Sequence, residues 1–120
     1  MSGQILIVDD SATIRDSLSN LLLTAGYDVC ATGSGKEALS ICTERSFDLM
    51  ISDLNMPVMD GLSLVGAMRK LPGKRFMPII ILSSESDAQR AEVKQAGASG
   101  WLSKPFKPEQ VLSIVKMVIQ

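Results

Sequence analysis

The chain has 120 residues, 46% of them apolar, with 12 basic against 13 acidic side chains and a net charge of −1. That length suits one domain, expected to span residues 1–120, with apolar residues enough for a core. It contains no run of about 18 apolar residues that could cross a membrane, and its near-neutral charge argues against a general nucleic-acid footprint.

Met1-Ser2-Gly3-Gln4 carries no basic region, and the apolar run Ile5 to Val8 is too short for a secretory signal, so a cytoplasmic protein is expected. Ile5-Leu6-Ile7-Val8 reads as a strand. Ser11 to Ala25 then places Ile14, Leu18, Leu21, Leu22 and Ala25 on one helical stripe, with Gly26 as a C-terminal cap. Tyr27 to Thr32 is a weaker strand, and Lys36 to Arg45 a helix burying Ala38, Leu39, Ile41 and Cys42. Phe47 to Ser52 is the third strand. Gly61 to Leu71 is a helix with Leu64, Val65, Met68 and Leu71 inward. Pro78 to Ser83 is the fourth strand, Asp87 to Ala96 a helix followed by Gly97, and Gly100 to Ser103 a short fifth strand. Pro108 to Ile119 closes the series, with Val111, Leu112, Val115 and Val118 on its buried face. Five strands alternating with five helices predict an α/β fold, a doubly wound parallel sheet covered on both faces. The first, third and fourth strands are nearly all apolar, as interior parallel strands are. The second and fifth are more mixed and suit edges or near-edges.

The chain has no histidine, which excludes a Ser-His-Asp site, a Cys-His site and any His-ligated metal. Cys30 and Cys42 match no zinc or redox spacing and are expected to be free, buried thiols.

Ligands of open α/β sheets bind beyond the carboxyl ends of the strands. There the sequence places Asp9-Asp10 after the first strand, and Asp53 at the end of the third, followed by Leu54 and Asn55. Ser83-Ser84-Glu85 follow the fourth strand and Lys104-Pro105 the fifth. Taken singly, Asp10 or Ser11 could be a helix cap, Ser83 a strand end, and Lys104 a solvated surface residue. Jointly, three acids, a hydroxyl and an ammonium on one rim point to a site. Close carboxylates repel unless a cation offsets them. Mg²⁺ suits hard oxygen donors and a phosphate. Asp10 and Asp53 are the expected direct ligands, with Asp9 acting mainly through water and the Asn55 backbone carbonyl completing the set. Asp53 can attack phosphorus to form an acyl phosphate, with Lys104 and the Ser83 hydroxyl meeting the phosphoryl oxygens.

Ile7-Val8-Asp9-Asp10-Ser11, Asp53-Leu54-Asn55-Met56-Pro57 with Asp60-Gly61, Ser83, Gly97-Ala98 and Lys104-Pro105-Phe106 together resemble the receiver domains of two-component response regulators, especially the single-domain CheY-like proteins. The resemblance covers nearly the whole chain. It implies the flavodoxin-like strand order 2-1-3-4-5. It also implies that Asp53 accepts a phosphoryl group from a sensor histidine kinase or histidine phosphotransfer protein, that Asp9 and Asp10 organise Mg²⁺, and that the Lys104–Pro105 bond is cis. Ser83 and Trp101 would form the output switch, reporting to a downstream protein through the fourth helix, fifth strand and fifth helix. Asn55 and Glu85 would tune the phosphoryl lifetime. Ser83 stands where threonine is commoner, Ser84 where Ala or Gly is frequent, and Trp101 where Tyr or Phe is usual. Such a protein modifies only itself and is not an enzyme in the ordinary sense. Chemotaxis control and a phosphorelay shuttle both fit. An aspartate-nucleophile phosphatase is disfavoured because Asn55 stands where its second acid belongs. A flavin binder is disfavoured by the acidic first loop.

Overall fold

A computed structural model of the chain describes residues 3–83 and 87–119, without the side chains of 87–90. Its elements run β1 (Gln4–Val8), α1 (Ala12–Thr24), β2 (Asp28–Thr32), α2 (Gly35–Glu44), β3 (Leu49–Asp53), α3 (Gly61–Arg69), β4 (Ile79–Ser83), α4 (Asp87–Ala96), β5 (Gly100–Ser103) and α5 (Pro108–Val118). All strand pairs are parallel and the order is 2-1-3-4-5, as the resemblance implied. The apolar runs are the three interior strands and the mixed ones the two edges.

Strand alternation sends successive side chains to opposite faces, so the sheet feeds two cores. Leu6, Val8, Met50, Ile79 and Ile81 face α2, α3 and α4, where Ala38, Cys42, Leu64, Val65, Met68 and Val93 meet them. Ile5, Ile7, Leu49, Ile51, Ile80 and Leu82 face α1 and α5, against Leu18, Leu22, Val111 and Val115. Each of these larger aliphatic side chains contributes about 2 kcal/mol through burial.

The helix ends follow their sequence signals. Ser11, rather than Asp10, caps α1 by accepting from the Ile14 N–H at 3.3 Å. Asp60 caps α3, accepting from the Ser63 N–H at 2.8 Å, and such a cap contributes about 1 kcal/mol. Gly26 and Gly97 take φ of +99° and +110°. After each, the next N–H reaches back to a helix carbonyl, Tyr27 to Leu22 and Ala98 to Val93, closing the turn.

Two expectations are corrected. Ala25 lies on the exposed side of the α1 terminus, because the helix ends at Thr24 and the chain turns there. Cys30 is half-buried on the edge strand β2, whereas Cys42 is buried; both thiols are free, and burial pushes the Cys42 thiol up, toward the inert form. The α3–β4 connection also departs from the sequence picture. Lys70 and Arg75 stay exposed, but two neighbouring cations turn inward. Lys74 is buried, with Nζ donating to the Arg45 carbonyl at 3.1 Å and Ser46 Oγ at 3.3 Å. The Arg69 guanidinium donates to the carbonyls of Lys74, Met77 and Gly97, joining the ends of α3 and α4. Carbonyls outside the strand ladders are thus paired by side chains.

Candidate functional site

Parallel register brings the polar residues to one rim. Val8 lies opposite Ser52, Asp53 opposite Leu82, and Ser83 opposite Ser103, so the residues that end or follow these strands emerge together. The ladder continues one step further, with the Leu54 N–H bonded to the Leu82 carbonyl and the Lys104 N–H to the Ser83 carbonyl.

Lys104 spans two of the acids. Its Nζ donates to Asp53 Oδ1 at 2.9 Å and to Asp9 Oδ2 at 3.4 Å. Asp9 and Asp53 are buried and Asp10 is exposed; each offers a carboxylate oxygen, and the three lie within 4.8 Å of one another. Burial pushes the Asp53 carboxyl up and the Lys104 hydrogen bond pulls it down, with the Asp9 and Asp10 charges adding to the rise; the net shift is upward. Burial works to lower the Lys104 ammonium, but its hydrogen bond to Asp53 and the charges of Asp53 and Asp9 outweigh it, and its pKa rises. Three acids thus face one ammonium in a half-buried cleft. This is a fitting donor set for Mg²⁺: hard oxygens, excess negative charge, and one ligand group left exposed for entry.

Every polar group of Asp9 is engaged. Its N–H donates to the Thr32 carbonyl at 3.1 Å, and Oδ1 accepts from the Ser11 N–H at 2.9 Å. Its carbonyl accepts from Arg15 Nη1 at 2.7 Å. Arg15 had no distinguishing signal in the sequence beyond lying one turn after the cap. On the other side of Asp53, Gly61 packs so closely under the chain that its N–H donates to the Leu54 carbonyl at 2.7 Å.

Ser83 is buried at the end of β4, adjoining the rim, and Asn55 is exposed two residues beyond Asp53. Ser84 and Glu85 lie outside the described residues. The Lys104–Pro105 bond is cis. Trp101 sits away from the rim on β5, opposite Ile81, half-buried against the core under α4. Beside it opens a cavity of about 270 Å³ lined by Val93, Lys94, Ala98, Ser99 and Gly100.

A doubly wound sheet with an acid cluster and a lysine at its carboxyl rim defines an α/β domain of the flavodoxin-like class. Within that class the chain belongs to the response regulator receiver domain family, whose model matches residues 5–116. It is similar to the probable chemotaxis protein CheY of Rhizobium etli, 38% identical over 119 residues, covering 96% of this chain and 91% of that protein. Among solved structures it resembles the chemotaxis response regulator CheY4 of Vibrio cholerae, with a TM-score of 0.94, 42% identity, and 99% and 100% of the two chains covered. It also resembles the receiver domain of the sensor histidine kinase PA1611 from Pseudomonas aeruginosa, described with a magnesium ion coordinated in the active site cleft; the TM-score is 0.92 and the identity 28%, over 99% and 98% of the two chains. Other curated relatives are longer, and the chain spans 24%, 57% and 54% of three of them. Among the described residues no helix is long and apolar enough to cross a membrane.

Proposed function

We propose that this chain is a phosphorylation-controlled receiver in which Asp53 takes a phosphoryl group from a phosphohistidine on a sensor histidine kinase or histidine phosphotransfer protein. The supporting observation is the Lys104 ammonium set between Asp53 and Asp9, with Asp10 beside them. Asp53 attacks phosphorus with its carboxylate oxygen, the bond from phosphorus to the donor imidazole breaks, and the imidazole leaves with the bonding pair. Lys104 neutralises one developing phosphoryl oxygen, and the Ser83 hydroxyl is assigned to another. Asp9, Asp10, Asp53 and the Asn55 carbonyl are the groups that would hold Mg²⁺, which when bound supplies charge neutralisation for the incoming phosphoryl group. Asn55 and Glu85 are assigned the tuning of the acyl phosphate's lifetime.

Ion binding should be visible without chemistry. Mg²⁺ relieves repulsion among Asp9, Asp10 and Asp53, so saturating Mg²⁺ should raise the melting temperature by several degrees, with a stabilisation of about 2–3 kcal/mol at 100-fold excess over Kd. Asp10→Ala should remove most of that gain. A melting temperature that responds to Mg²⁺ equally in both proteins would count against the site.

Output is assigned to the surface made by α4, β5 and α5. The support is Trp101, half-buried against the core beside a cavity, on the strand that leads to Lys104. A hydrogen bond from the Ser83 hydroxyl to the phosphoryl group would bias a two-state packing that includes Trp101. Trp101 is the sole tryptophan, so beryllofluoride with Mg²⁺ should change its fluorescence. A flat trace would remove Trp101 from the switch and leave the Asp53 chemistry standing. The names of the R. etli and V. cholerae relatives favour chemotaxis as the pathway.

A further inference from the structure

We infer that Arg15 is a positioning residue for the metal-binding carboxylates, and that Gly33 is a glycine because the Arg15 guanidinium occupies the space a side chain would take. The inference deepens the proposed Mg²⁺ site and rests on it.

The exposed Asp10 cannot be placed by packing, so the peptide units on either side of it must do so. The unit after it is fixed by the Ser11 N–H, which donates to Asp9 Oδ1 at 2.9 Å. The unit before it carries the Asp9 carbonyl, and Arg15 Nη1 donates to that oxygen at 2.7 Å. The Asp9 N–H is held in turn by the Thr32 carbonyl at 3.1 Å. Arg15 therefore fixes the remaining peptide unit of the turn that carries Asp10. Gly33, just after β2, leaves the guanidinium its room. A Cβ built on Gly33 would lie 3.1 Å from Arg15 Nη1 and 3.9 Å from the Asp9 carbonyl oxygen. Arg15 is itself half-buried, which limits where its guanidinium can go.

Electrostatics and positioning predict opposite signs. A cation near three carboxylates opposes Mg²⁺, so deleting its charge should tighten binding if charge dominates. If orientation dominates, deletion should weaken binding, and partners of metal ligands typically matter by about 10–100-fold in affinity.

The test is a Mg²⁺ titration, read by calorimetry, of the wild type, Arg15→Met and Gly33→Ala, with urea unfolding in EDTA to follow the metal-free fold. The expected result is Mg²⁺ affinity about 10-fold weaker in Arg15→Met and weaker by a lesser factor in Gly33→Ala, where the guanidinium can shift aside. Phosphoryl uptake from acetyl phosphate should fall at limiting Mg²⁺ and recover at saturation. Unchanged or tighter Mg²⁺ binding in a folded Arg15→Met protein, with normal binding in the wild type, would overturn the role of Arg15 alone. An Arg15→Met protein that loses metal-free stability but keeps its Mg²⁺ affinity would assign Arg15 to folding and also overturn it. Absence of Mg²⁺ binding in the wild type would overturn the metal site, and this inference with it.

Discussion

Asp53→Asn is expected to abolish phosphoryl uptake from acetyl phosphate or a phosphohistidine donor, by at least about 10⁴-fold, because the amide is no nucleophile and residues acting as a unit lose their effect together. The same substitution should make the metal-free protein more stable at neutral pH. The carboxyl of Asp53 is raised in the folded state, first by burial and then by the Asp9 and Asp10 charges, against the pull of Lys104. The folded chain therefore holds this proton more tightly than the unfolded chain. Stability falls as pH rises from the unfolded carboxyl range through the folded pKa, and the deficit is complete above it. Asparagine carries no charge to bury and keeps an oxygen for Lys104. Urea unfolding in EDTA should place Asp53→Asn above the wild type at pH 7, with the difference vanishing below about pH 4. A less stable variant at pH 7 would mean that the ion pair to Lys104 outweighs burial.

The second large effect concerns a residue with no functional group. Gly61→Ala should destabilise the chain by about 1–3 kcal/mol and slow phosphoryl uptake by about 10²-fold. A Cβ at Gly61 would stand 2.6 Å from the Asp53 carbonyl oxygen and 2.9 Å from Leu54 Cα. Both are backbone atoms of the segment that carries the nucleophile, so relief must come from moving Asp53. Helix propensity argues the other way, since Ala is favoured over Gly by about 1 kcal/mol within a helix. Gly66→Ala serves as the control. It lies in the same helix with nothing within 4 Å of its Cβ, so it should be neutral or stabilising. Equal unfolding midpoints for the two variants would contradict the close packing under Asp53.

Ile5-Leu6-Ile7-Val8 followed by Asp9-Asp10 announces both an interior strand and the rim at its end, because burial on two faces demands an unbroken apolar run and solvent ends it. Asp53 and Lys104 emerge the same way, and the site is legible because the fold concentrates ligands at that edge. Arg15, Arg69 and Lys74 were not legible. Each is a long cation on a stretch that reads as surface. Arg69 and Lys74 are held by carbonyls distant in sequence, Gly97 for Arg69 and Arg45 for Lys74, and Arg15 by the Asp9 carbonyl across a turn that no periodicity announces. Capping was ambiguous for a local reason: Asp10 and Ser11 are both good caps, and the choice fell to Ser11 while the neighbouring Asp9 took the Ser11 N–H. Cys30 and Ala25 depart from expectation because an apolar stripe does not say where an edge strand or a helix terminus leaves the core.

In the proposed chemistry, carboxylates from separate strands, with Lys104, make one of them reactive toward phosphorus. Peptide-level mapping of the phosphoryl group after incubation with acetyl phosphate, with Mg²⁺ and with EDTA, tests this. One phosphoryl group is expected, on the peptide containing Asp53, formed with Mg²⁺ and absent with EDTA. A phosphoryl group on any other residue, or uptake at Asp53 undiminished by EDTA, would rule this chemistry out.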